Sequence, residues 1–189
     1  MKRRTAMVLT AIAAFESTIG NEIQKLWRRT MEFTSYHLIE SFESCALKAY
    51  PDHGSIWTIG WGHTKGVKEG DTCTQAQADA WLKADVAWAQ SVANSALTPP
   101  VHPTGVRQGV FDAFTDFVFN CGAKHADNLV AKIHMENWVG ACDELMRFVH
   151  DAEGNVPAGL VRRRKAEIEL ITHAMGFVYT PPLVPGDVR

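Results

Sequence analysis

One short window, Glu43 to His63, interrupts a chain whose pattern is otherwise almost entirely helical. It reads ESCALKAYPDHGSIWTIGWGH. Tyr50 to Gly54 has turn chemistry, and Ile56 to Ile59 together with Trp61 has the β-branched and aromatic content of short strands. Gly60 and Gly62 permit tight bends beside them. Any sheet this chain builds is therefore small and confined to one place. The remaining residues must pack as helices around it.

The helical signals are regular. Ser35 can cap a helix running from Tyr36 to about Glu43, with Leu38, Ile39 and Phe42 as its apolar contacts. Thr74 and Gln77 form a capping box for a long helix reaching about Ala96. Pro99, Pro100 and Pro103 then break the chain. Further helices are predicted over Thr104–Asn120, Asn128–Met135, Trp138–Val149 and Leu160–Met175, the last capped by Gly176. The fold class is α+β, mainly α. It consists of a small β-containing lobe and a larger helical lobe joined by the long helix, with a cleft between them as the natural ligand site.

The net charge of -2 gives no whole-protein bias toward nucleic acid. Cys45, Cys73, Cys121 and Cys142 include no C-x-x-C pair, which argues against a cysteine zinc site. Four free buried thiols are the favoured reading. No H-E-x-x-H is present, so the histidines offer no metalloprotease motif. The start, MKRRTAMVLTAIAAF, joins a basic cluster to an apolar stretch shorter than the ~20 residues that span a bilayer. It reads as an amphipathic helix packed on the body or lying on a membrane, or as a short export signal with Ala11–Ala13 as its cleavage site. Three regions follow: 1–34 as a helical extension or export segment, 35–176 as the main domain, and 177–189 as an irregular tail.

The window also carries chemistry. Glu43 is followed after eight residues by Asp52, and Asp52 after five by Thr58. This places one acid at a helix end, a second in a turn and a hydroxyl on a strand. Two carboxyls converging on one cleft are what glycosidic hydrolysis needs. A partly desolvated Glu43 suits the proton donor. Asp52 in a polar turn suits the water-activating role, and Thr58 can hold that water in line. Each residue also has an ordinary structural explanation, as a helix end, a turn-former and a strand residue.

Glu-x8-Asp-x5-Thr followed by Ile-Gly-x-Gly-His resembles the phage-type lysozymes, the muramidases of the T4 phage and endolysin kind. The likeness extends through Ala49-Tyr50, Phe119-Asn120-x-Gly122, Gly140–Leu145 and Gly159–Arg164, covering roughly Ser35 to Gly176. The resemblance implies a two-lobed lysozyme fold. It implies peptidoglycan glycan strands as substrate and hydrolysis of the β-1,4 bond between N-acetylmuramic acid and N-acetylglucosamine. It makes Glu43 the acid, with Asp52 and Thr58 handling the water. An arginine pairs with the acid, best matched by Arg163, with Arg162 as runner-up. His63 and Asp85 form a structural pair between strand and helix. No cofactor or metal is implied, because the acid–base pair suffices. The expected protein is a monomer that binds no nucleic acid, with transient membrane contact through the N-terminus. It would be made in the host bacterial cytoplasm and act in the periplasm on the cell wall.

The chain departs from the family in having Ser44 where glycine usually follows the acid, a change costing ~1 kcal/mol if that backbone is left-handed. Ala46 stands where arginine is usual, and Cys121 lies within the helical-lobe motif. Trp57 and Trp61 fit a core or sugar stacking, while Trp81 and Trp88 read as packing residues. Arg162 to Lys165 reads as a solvated face with one arginine turned to the acid, or as a contact for wall anions. A lytic transglycosylase, a cell-wall binding module and membrane disruption by the N-terminus are the competing functions.

Overall fold

The computed structural model describes residues 31–52, 55–97, 106–151 and 153–182. The predicted N-terminal helix or signal, the prolines at 99, 100 and 103, the start of the Thr104 helix and the end of the tail lie outside the described residues. In chain order the elements are α1 (Tyr36–Phe42), β1 (Ala46–Pro51), β2 (Trp57–Gly60), α2 (Gln75–Ala96) and α3 (Gln108–Cys121). A 3-10 turn (Ala123–His125), α4 (Asp127–His134), α5 (Trp138–Met146) and α6 (Ala158–Met175) complete them.

The fold is mainly helical with one two-stranded antiparallel sheet. β1 pairs with β2 in the register Ala46–Gly60, Tyr50–Thr58 and Pro51–Trp57, with an irregularity between Ala46 and Tyr50. The sequence reading missed β1, because Pro51 and the residues after it look like a turn. Pro51 is tolerated as the last residue of its strand. The other edge of β1 is satisfied too. The Ala49 N–H donates to the Asp71 carbonyl at 2.9 Å, and the Cys73 N–H donates to the Leu47 carbonyl at 2.9 Å. Trp61 lies in the turn after β2 rather than in a strand, and its indole N–H donates to Asp79 at 2.9 Å.

α3 is the axis of the helical lobe. Eight consecutive residues from Phe111 to Val118 are buried, so the helix is covered on every side. Around it Val110, Phe114, Leu129, Leu145, Ile168 and Ile171 form one apolar core. A second, smaller core gathers Phe33, Ile39, Leu82 and Val86. α2 serves both, because Leu82 and Val86 face the small core while Ala89 and Ala93 face the large one. This shared face joins the lobes. α2 starts at a complete capping box, with the Gln77 N–H donating to Thr74 Oγ1 and the Thr74 N–H donating to Gln77 Oε1.

Two polar residues of α3 explain the chain's entry into the fold. A buried carboxylate must be hydrogen-bonded or paired. Asp112 accepts from the Thr34 N–H and hydroxyl, from the Ser35 hydroxyl at 2.8 Å, and from the Gln108 side chain. Ser35 does not cap α1 with its side chain, contrary to the sequence reading. Its hydroxyl goes to the buried acid instead. The α6 C-terminus ends at Gly176 in the left-handed region, φ 72°.

Candidate active site

Glu43 is the residue immediately after α1, with extended backbone at φ -95° and ψ 127°. Its carboxylate meets Arg163 of α6, whose Nη1 donates to Oε1 at 2.5 Å across 120 residues of sequence. The Glu43 side chain keeps 23% of its exposure while that of Arg163 keeps 3%, so the acid sits at a boundary and the arginine in the interior. The other carboxylate oxygen faces Gly62, where a Cβ would lie 3.4 Å from Oε2. With φ +90° that glycine is also the residue best suited to the turn. Ser44 costs nothing in backbone strain, because among the described residues only Ser55 and Glu136 are non-glycine positions with positive φ.

Asp52 and Thr58 are tied to one residue, Ile56. The Ile56 N–H donates to Asp52 Oδ1 at 2.8 Å, and the Thr58 hydroxyl donates to the Ile56 carbonyl at 3.0 Å. The β1–β2 hairpin thus sets both side chains together. Tyr50 links them to Glu43. Its phenol is pushed up by burial first, then by the charges of Glu43 and Asp52.

Arg163 has a second partner that the sequence reading missed. Its Nε and Nη2 donate to the two oxygens of Asp116 on α3, both at 2.9 Å, in a two-pronged clamp. Asp116 is fully buried. Burial pushes its carboxyl up, but Arg163, helped by Glu167 and Arg164, holds it below the usual carboxylate range. Burial likewise pulls the guanidinium down, while Asp116 first and Glu43 after it hold it above the usual range. Arg164 is also buried and turns away, donating to Glu167 at 2.6 Å, Asn120 at 3.0 Å and the Cys121 sulfur at 3.0 Å. Burial raises the Glu167 carboxyl well above the usual range, with Arg164 pulling against it and Asp116 adding to it. The run from Arg162 to Lys165 keeps Arg162 in solvent and turns Arg163 to the acid, but Arg164 is buried as well, which the sequence reading did not expect. Asp116 had a signal in the sequence, as an acid inside the apolar run Phe111 to Phe119 that needs a cationic partner.

His63 Nδ1 lies 2.7 Å from Asp85 on α2, and its ring stacks on Trp81 with centroids 4.9 Å apart. Trp81 packs in this way, but Trp88, also read as packing, is 51% exposed. Trp88 borders a cavity of about 550 Å³ with Gly62, His63, Lys65, Asp85 and Phe119. That cavity opens beside the acid, since Gly62 adjoins Glu43 and the Phe119 ring lies 5.8 Å from the Arg163 guanidinium carbon. Only Cys142 among the four free cysteines is fully buried. No helix among the described residues is long and apolar enough to cross a membrane.

Known proteins place this architecture. Residues 40–167 match the phage lysozyme family. An endolysin of Acyrthosiphon pisum secondary endosymbiont phage 1 is 34% identical over 143 residues, 72% of this chain and 94% of the relative. Among solved structures, the muramidase domain of SpmX from Asticaccaulis excentricus superposes with a TM-score of 0.63 at 27% identity, over 74% of this chain and 97% of that one. An endolysin from Escherichia coli O157:H7 phage FAHEc1 gives 0.62 at 29% identity, over 75% and 94%. The chain therefore belongs to the phage lysozyme family, as an endolysin-type glycosidase that acts on bacterial peptidoglycan.

Proposed function

We propose that Glu43 is the general acid and that Asp52 and Thr58 hold the attacking water, hydrolysing the β-1,4 bond between N-acetylmuramic acid and N-acetylglucosamine. The observation that carries this reading is the shared Ile56 anchor of Asp52 and Thr58. The Thr58 hydroxyl spends its proton on the Ile56 carbonyl, so toward a water it acts only as an acceptor. Asp52 then takes the water's other proton as general base. With both hydrogens directed, the water's lone pair points at the anomeric carbon. Glu43, facing the open side of Gly62, protonates the leaving oxygen from the opposite side of the bond, which gives inversion. His63 and Asp85 brace the hairpin turn against α2 and take no part in the chemistry.

The enzyme works as a monomer on glycan strands. It is made in the host bacterial cytoplasm and reaches the wall from the periplasmic side, with transient contact between its N-terminus and the membrane. Mass spectrometry of fragments released from purified peptidoglycan tests the chemistry. The parent yields reducing muramic-acid ends and folded Glu43→Gln yields none. Lysis retained by that folded variant removes Glu43 from its role, and anhydro ends reassign the reaction to transglycosylation.

A further inference from the structure

The pairing of Glu43 with Arg163 raises a difficulty for a proton donor. A guanidinium beside a carboxylate favours the ionised form, which has no proton to give. Among the described residues, the groups around Glu43 suggest how the chain answers this. Arg163 approaches from α6, Tyr50 and Asp52 lie on the hairpin side, and Gly62 contributes only backbone. Arg164 does not face the acid, because its guanidinium is committed to Glu167 and Asn120. The remaining charge is Asp116, behind Arg163, which takes two of its nitrogens.

We propose that Asp116 is the counterweight of Arg163, a buried positioning residue that cancels the arginine's charge while aiming its third nitrogen at Glu43. The inference rests on Glu43 being the acid. The clamp separates two properties that one arginine would otherwise join. Nη1 fixes the carboxyl in direction through a hydrogen bond. The charge that would strip its proton is neutralised from behind, in an interior where Arg163 keeps only 3% of its side-chain exposure and solvent screens little. Glu167 is paired with Arg164 at 2.6 Å, so these two buried groups offset each other and leave Arg163 to Asp116. The pair facing the acid is close to neutral.

The test is the alkaline limb of the pH profile of kcat/KM on purified peptidoglycan, for the parent, Asp116→Asn, Arg163→Gln and the double variant. Folding is checked by thermal melting. The net charge behind Glu43 in these four is neutral, positive, negative and neutral. Asp116→Asn is expected to move the limb to lower pH by about 1 to 3 units, the effect of an uncompensated neighbouring cation. Arg163→Gln moves it to higher pH, and the double variant returns toward the parent. A purely structural Asp116 lowers the rate at every pH and leaves the limb in place, and that result overturns the proposal. If Asp116→Asn does not fold, the double variant still decides, because it must lie on the acid side of Arg163→Gln. Glu43→Gln run beside them separates the two readings. Retained activity there removes the acid assignment, whereas an inactive Glu43→Gln with an unmoved limb in Asp116→Asn removes only the counterweight.

Discussion

At Gly109 the backbone of α3 comes close to the backbone of α6, and replacing it with alanine tests the packing that carries Arg163 to the site. A Cβ at Gly109 would lie 2.4 Å from the Leu170 carbonyl oxygen, 3.2 Å from its carbon and 2.9 Å from the Ala174 Cβ. The first two atoms are backbone, so no side-chain rotation relieves them, and α6 must move away by most of an ångström. Overpacking of this kind costs about 1–3 kcal/mol. Alanine's higher helix propensity offsets at most about 1 kcal/mol of that. The net loss is at most about 3 kcal/mol and centres near about 1.5 kcal/mol, which lowers Tm by roughly 3–6 °C for a chain of this length. Gly159 supplies the control. It is likewise the second residue of its helix, and no atom lies within 4 Å of its would-be Cβ. Gly159→Ala should leave Tm unchanged or raise it. Differential scanning calorimetry of both variants reads the comparison, and a Gly109→Ala protein at least as stable as the parent would refute the close-approach argument.

His63 and Asp85 should show a coupling of about 1 kcal/mol in a double-mutant cycle of urea denaturation, modest because Asp85 keeps 34% of its side-chain exposure; additive single variants would mean that the contact contributes nothing. Asp116, held below the unfolded carboxyl value of about 3.9, contributes stability above that pH and loses it as pH falls through its folded value. Glu167, held above its unfolded value, contributes stability at low pH that is lost as pH rises. Urea midpoints from pH 3 to 7 should show Asp116→Asn flattening the acid side and Glu167→Gln the neutral side, and curves parallel to the parent would contradict both. The Cys142 thiol, fully buried and pushed up to about 12 by burial and by Asp143, should resist maleimide in the native protein while Cys45 and Cys73 react. Labelling of Cys142 at their rate would show that its pocket opens.

How legible the site was depended on how far apart its parts lie in the chain. Glu43, Asp52 and Thr58 fall within one window, where turn and strand chemistry are local, so spacing alone suggested that they converge. Arg163 sits 120 residues from Glu43, and only the family resemblance chose it from a run of four basic residues. Asp116 belonged to no spacing pattern. Its role depends on α3 being covered on every side, which the apolar run allowed but did not require. Ser35 shows a different limit. Its local preference is to cap the next helix, yet a buried carboxylate 77 residues away accepts its hydroxyl instead, and tertiary need outweighs a local hydrogen bond. β1 was hidden because its pairing partners, β2 and Asp71 to Cys73, supply the order that Pro51 seemed to deny.

The hydrogen bonds between residues 32–35 and Gln90, Gln108 and Asp112 give the N-terminal side of this enzyme a mechanical address. Whatever is joined ahead of Glu32 enters the enzyme through α2 and α3, so force applied there reaches those helices before it reaches the hairpin. A graft or trimmed start placed after Ser35 would strip the ligands from a buried acid. A boundary for truncation or fusion therefore belongs upstream of residues 32–35.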